Sequence, residues 1–347
     1  MYKKILKYIK RILVILIGIL ILIYGILWTL SYNISNTRFG VSFSPEYAES
    51  LGLDWKETYQ AILADLKPTM IRLSAPWNKL EPQQGTFDFS ETDYLVNEAG
   101  KHNTKILFVV GQKIPRWPEC YFPQWARELS KEKRQSEVLS YIQHAIERYK
   151  NNPSIEYWQI ENEPFIKFDF GDCDAFDKTL VEREVALVRQ LDPTRKIVMT
   201  DSGEMSIWYS ASKTGDILGS TLYRLIISRY GFVWHYDYLP AGLYRIKARL
   251  FGNSFDNFFI SELQGEPWFH NGSPLTTDIS TQEQTMNPRQ LEKNINYARR
   301  VGASRVYMWG SEWWYWQKTK KGDSTYWDII KNTITPEKTS EITLNKN

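Results

Sequence analysis

The chain opens on hydrophobicity that has no period. Residues 12–30, ILVILIGILILIYGILWTL, run nineteen positions without a charge, enough as a helix to cross the ~30 Å hydrocarbon layer of a bilayer. Lys3, Lys4, Lys7, Lys10 and Arg11 precede the run, and the positive-inside bias keeps such a cluster cytoplasmic, with the rest of the chain outside. A cleaved signal peptide has a shorter apolar region, roughly 7–15 residues, and a small-residue cleavage site. Here the run leads into SYNISNTRF, with no A-x-A pattern. The pattern predicts a cytoplasmic segment over 1–11, a single transmembrane anchor over 12–30 and a polar stem over 31–38. Secretion after signal cleavage is the alternative.

Past the stem, short β-rich runs alternate with amphipathic helical patterns. The runs are FGVSFS (39–44), TMIRLSA (69–75), KILFVVG (105–111), IEYWQIENE (155–163), KIVMTD (196–201), DILGSTLY (216–223), NFFISELQ (257–264) and RVYMWG (305–310). Most are apolar throughout, as in a parallel sheet covered on both faces. Between them WKETYQAILADL, SETDYLVNEAGKH (with Ser90 as the expected cap), KEKRQSEVLSYIQHAIERYK, DKTLVEREVALVRQL and PRQLEKNINYARRVG read as helices. Eight strands alternating with helices predict an α/β fold, a (β/α)₈ barrel over 39–334, with a frayed polar tail over 335–347. A doubly wound open sheet is the structural alternative, but no G-x-G-x-x-G turn comes after the first strand.

Catalytic residues of such barrels sit at the carboxyl ends of strands. The fourth run ends in Glu161-Asn162-Glu163-Pro164, and the seventh in Ser261-Glu262-Leu263-Gln264. Two carboxylates at one mouth are what glycoside hydrolysis requires, one protonated to donate to the leaving oxygen and one ionised to attack. Glu204, Glu266 and Glu312 also fall near strand ends, but Glu262 directly terminates FFIS. Glu266 is expected to shape the pocket. Glu161 should point opposite to Asn162 along the strand and serve as a paired structural charge.

WQIENEPF (158–165) resembles the strand-four motif of the clan A glycoside hydrolases, and the stretch 77–99 is similar to the loop and helix after strand two in family 42 and family 5 relatives. The resemblance implies a retaining β-glycosidase with Glu163 as acid/base, Glu262 as nucleophile and Asn162 on the sugar 2-hydroxyl. It implies further that Arg72 supports the nucleophile, that Tyr223 orients it, and that Trp309 floors the cleavage subsite. The segment around Tyr223 reads equally well as ordinary helix. A transglycosidase using the same residues and a non-catalytic glycan-binding barrel are the rival functions.

Composition adds less. Fourteen Trp and 21 Tyr suit either sugar stacking or an aromatic core. Trp77, Trp117, Trp268 and Trp309 fall on loops or strand ends where substrate would lie, whereas Trp313, Trp314 and Trp316 are expected to divide between packing and rim. His235, in the long insertion after strand six, is a candidate sugar ligand or a structural residue. With 43 Lys+Arg against 40 Asp+Glu, nothing points to nucleic acid. The expected partners are an oligo- or polysaccharide and the membrane; oligomeric state has no signature. No metal-ligand spacing and no cofactor motif occurs. Cys120 and Cys173, in loops after strands three and four, are expected to form a disulfide in an extracytoplasmic setting.

Overall fold

The computed structural model describes residues 2–166, 173, 177–228, 230–269 and 272–335. The eight apolar runs form β1 (Arg38–Phe43), β2 (Met70–Ser74), β3 (Lys105–Val110), β4 (Ile155–Ile160), β5 (Ile197–Asp201), β6 (Ile217–Leu222), β7 (Phe258–Gln264) and β8 (Arg305–Trp309). All are parallel, and they close in the order β1-β8-β7-β6-β5-β4-β3-β2. Alternate residues along each strand face the barrel interior. Met70, Leu107, Val198, Ile217, Phe259 and Tyr307 meet there as an apolar floor, with Tyr157 against them. Two residues further along the strands, the inward positions turn polar: Arg72 on β2, Gln159 on β4 and Thr200 on β5. That second layer is the site.

The outward-facing residues build the main core with the helices, and much of the aromatic content goes into it. Trp77, Trp158, Trp208, Trp313, Trp314 and Trp327 are among the largest fully buried side chains. Each indole N–H has an acceptor: Glu81, Asp192, Ser202 O, Gln282, Gly265 O and Asp65 respectively. A buried indole needs such a partner. Trp77 is therefore a core residue and not a substrate platform. The division of Trp313, Trp314 and Trp316 between packing and rim also fails, because all three are buried.

Other elements differ from expectation in detail. The helix Ser90–Lys101 starts with Ser90 inside it, and its cap position is Phe89; Asp88 accepts the Ser90 N–H. The long insertion after β6 is structured: Leu225–Ile227 and Val233–His235 pair as an antiparallel hairpin, with the helix Ala241–Leu250 after it. His235 lies exposed on that hairpin, opposite Leu225. Of the tail, only Thr335 falls within the described residues.

The helix Tyr2–Leu30 is long and apolar enough to cross a membrane. It is exposed until Leu27 and Leu30, where it meets the barrel. The segment expected as a stem runs along the barrel wall, with Ser35 N donating to Arg299 O and Thr37 Oγ1 to Ala303 O.

Cys120 and Cys173 are joined, which ties the loops after β3 and β4 across 53 residues of chain. By the chain-entropy relation a closure of this length stabilises by about 4 kcal/mol. Reduction without denaturant should therefore lower the urea midpoint of the barrel markedly. An unchanged midpoint would show that the two loops hold each other without the bond.

Candidate active site

Arg72 is almost fully buried, at 1% exposure, and its planar fork organises the polar layer. Nε donates to Gln159 Oε1 at 2.9 Å, one terminal nitrogen to Glu262 Oε1 at 2.7 Å, and the other to Asn162 Oδ1 at 2.9 Å. Tyr223 donates its hydroxyl to the second oxygen of Glu262 at 2.9 Å. Both carboxylate oxygens are thus engaged by donors, as an ionised carboxylate requires when buried. Burial and the neighbouring Glu262 push the Tyr223 phenol well above its ordinary range, so it stays a donor.

Glu262 faces inward because β7 carries a bulge. Ile260 pairs with Ser220 and Glu262 with Thr221, leaving Ser261 as an extra residue; the register against β8 shifts at the same place. A bulge re-aims the side chain just past it. Without it, strand parity from Phe259 would turn Leu263 into the barrel, whereas Leu263 lies in the outer core.

Glu163 reaches the same mouth by a different device. β4 ends at Ile160, three residues earlier than the apolar run suggested, and Glu161 and Glu163 take left-handed backbone angles, φ 59° and 46°. Left-handed backbone at two non-glycine residues costs energy, roughly 1–3 kcal/mol each, and such strain concentrates at functional sites. Glu163 N donates to Thr200 Oγ1 and Thr221 Oγ1 donates to Glu163 Oε1 at 3.0 Å. Glu161 turns away, accepting the Gln112 and Lys113 N–H groups at 2.9 and 2.6 Å, and so fixes the loop after β3.

Among the described residues, Glu163 has no cation paired with its carboxyl as Glu262 has in Arg72. Burial first, then the charges of Glu262 and Glu119, push the Glu163 carboxyl up to about 8. At neutral pH it therefore holds a proton. With Asn162 Oδ1 committed to Arg72, its Nδ2–H groups are what this residue offers a ligand. Trp309, on β8, lies beneath the Arg116 guanidinium at 4.2 Å, and Trp268 meets the edge of the Tyr223 ring at 5.3 Å. The structure thus gathers Arg72, Asn162, Glu163, Tyr223, Glu262, Trp268 and Trp309 at one end of the barrel. Trp77 is enclosed in the core, and His235 is exposed on the hairpin after β6.

Three residues of the loop after β3 were not singled out from the sequence. Arg116 sits between the Tyr47 and Trp309 rings and bridges Glu266 at 2.8 Å and Glu312 at 3.2 Å. Lys113 pairs with Glu119 at 3.2 Å and donates to Glu163 O. Glu119 is buried and pushed up to about 7 by that burial. Charged residues in a short run with Pro115, Pro118 and Cys120, directly after a barrel strand, were the available signal. Because Glu119 raises Glu163, Glu119→Gln should move the alkaline limb of any Glu163-dependent activity to lower pH, on the order of one unit. A limb that stays in place would remove Glu119 from the electrostatics of the site.

Residues 46–201 match the model of glycosyl hydrolase family 10. That stretch is less than half the chain; it carries Arg72, Asn162 and Glu163 and stops before Glu262. β-Galactosidase Bga of Halorubrum lacusprofundi is 26% identical over 169 residues, 42% of this chain and 24% of that protein. Endo-1,4-β-xylanase 3 of Hypocrea jecorina is 27% identical over 160 residues, 44% of each. The chain thus matches less than half the length of these curated relatives. Among solved structures, the family 10 endo-β-1,4-xylanase of Gloeophyllum trabeum superposes with a TM-score of 0.56 at 12% identity, over 89% of this chain and 99% of that one. The Halorubrum β-galactosidase superposes at 0.54 and 17%, over 79% and 52%. The fold is the (β/α)₈ barrel shared with these solved glycoside hydrolases. Proteins named as a family 10 xylanase, a family 5 enzyme and β-galactosidases all match.

Proposed function

We propose that this chain is a retaining β-glycoside hydrolase, anchored by residues 12–30 and acting outside the membrane. The observation that carries the reading is the inequality of the two carboxyl groups. Glu262 is held by Arg72 and Tyr223 as an ion pair ready to attack, and Glu163 is kept protonated at neutral pH. In the first step Glu262 attacks the anomeric carbon while Glu163 gives its proton to the departing oxygen; in the second, Glu163 takes a proton from the water that releases the sugar. Asn162 supports the 2-hydroxyl, and Trp309 and Trp268 line the sugar's path. No cofactor is needed for this chemistry.

The relatives suggest the substrate class. Proteins similar to this chain are called xylanases and β-galactosidases, so aryl β-xylosides and β-galactosides are the first compounds to offer. Retention demands that the first-formed sugar keep the β configuration, which proton NMR reads before mutarotation. An α product appearing first would overturn the double displacement. The transglycosidase reading uses the same two carboxyl groups and differs only in the acceptor.

A further inference from the structure

The span and the barrel overlap along the same helix. Residues 12–30 rise about 28 Å, barely the ~30 Å of the hydrocarbon layer, and Arg11 closes the other end. The helix therefore has no spare turn to hold the barrel off the bilayer. Yet its last turns already touch the barrel: the Tyr24 hydroxyl donates to Tyr238 O at 2.8 Å, and Gly242 N donates to Ser31 Oγ at 2.8 Å. A Cβ at Gly242 would stand 2.2 Å from Leu27 O, so the two backbones are in direct contact. Tyr24 lies six residues inside the end of the run, about 9 Å along the axis. Segment 238–242 must therefore sit at the depth of the outer interface.

The surface beside that segment is aromatic. The hairpin of Leu225–Ile227 and Val233–His235 leaves the mouth end of β6, its base pinned where Arg224 N and Leu225 N both donate to Gln264 Oε1 at the end of β7. Phe232, Trp234 and Tyr238 are 69%, 51% and 50% exposed. Large rings left open to solvent on a pinned hairpin are unusual for a water-bathed surface. Amphipathic rings are favoured at headgroup level.

We propose that the hairpin strands 225–227 and 233–235 and the adjoining 236–240 segment are a second membrane contact, seated in the headgroup region beside the outer end of the N-terminal helix. The proposal rests on the membrane-anchored reading and adds to it an orientation. Because the hairpin rises from the mouth end of β6 and is tied to β7, the edge of the mouth next to Glu262 is held at the bilayer. Glycans within reach of the lipid surface are then the ones presented to it.

The test is nitroxide labelling of the full chain in phosphatidylcholine/phosphatidylglycerol nanodiscs. Both native cysteines are in the disulfide, so a label goes to Phe232→Cys or Trp234→Cys, with Leu20→Cys marking the span and Glu132→Cys a helix surface. Docking predicts that labels at 232 and 234 relax several-fold less with a water-soluble nickel chelate, and more with oxygen, than the label at 132. If the label at 20 is lipid-protected while those at 232 and 234 behave like 132, the anchor stands and the docking is overturned. If the label at 20 is itself water-exposed, the anchor fails and the proposal fails with it.

Discussion

The Glu262→Gly protein should show no turnover of an aryl β-glycoside above background, a loss on the order of 10⁴–10⁶-fold, the scale on which nucleophile deletions fall. Added azide should restore release of the aryl group and give a glycosyl azide of inverted configuration, since the anion enters from the side that Glu262 vacates. The barrel itself should survive. Arg72 keeps Gln159, Asn162 and the Ser261 carbonyl as partners. Rescue separates this prediction from a folding defect, because a misfolded protein gains nothing from azide. Retained activity without azide would dismiss Glu262 as the nucleophile.

Glu163→Gln should cost about 10²–10⁴-fold on substrates with poor leaving groups, the usual contribution of a positioned acid. On a dinitrophenyl glycoside, whose leaving group needs no proton, kcat/KM should change far less. The pH dependence carries a sign. Glu163 acts as an acid when protonated, and its carboxyl is pushed up to about 8, so kcat/KM should hold through neutral pH and fall above about pH 8. A carboxyl at its ordinary ~4.3 would be ionised long before that. The glutamine has no proton to lose and should abolish the alkaline limb. Glu163, Glu119 and Glu262 interact, so the limb belongs to the cluster as a macroscopic event, and the glutamine at 163 tests which member dominates. An alkaline limb that survives in this variant would give the acid role to another group.

Much of the barrel could be read in the sequence because its strands are buried on both faces and its helices on one. Continuous apolar runs and 3.6-residue periods are local consequences of that burial. Glu163 stood out as a polar residue closing an apolar run, and Arg72 through the resemblance of its strand. Trp77 misled because an indole in a loop after a strand looks the same whether it faces a sugar or a tyrosine. Only packing distinguishes them, and Trp77 stacks on Tyr141. The insertion carrying His235 folds into a hairpin of its own, on which His235 is exposed opposite Leu225.

The loop after β3 shows a second kind of gap. Lys113 and Glu119 pair within the loop, but Arg116 finds its partners 150 and 196 residues away, in Glu266 and Glu312. Ion pairs of that span have no local signature. The loop is held where it is by Glu161, which the sequence marked only as a structural charge.

By itself, then, the sequence determined the apolar helix, the alternation that builds a (β/α)₈ barrel, and the strand ends at which chemistry could sit. The alternation comes from burial, which leaves its period in the chain. Which carboxylates face one another was decided only in three dimensions. Strict alternation would have aimed Leu263 into the barrel; the extra residue at Ser261 turns Glu262 inward, onto Arg72 and Tyr223. A bulge is a property of two strands in register, and neither strand alone records it.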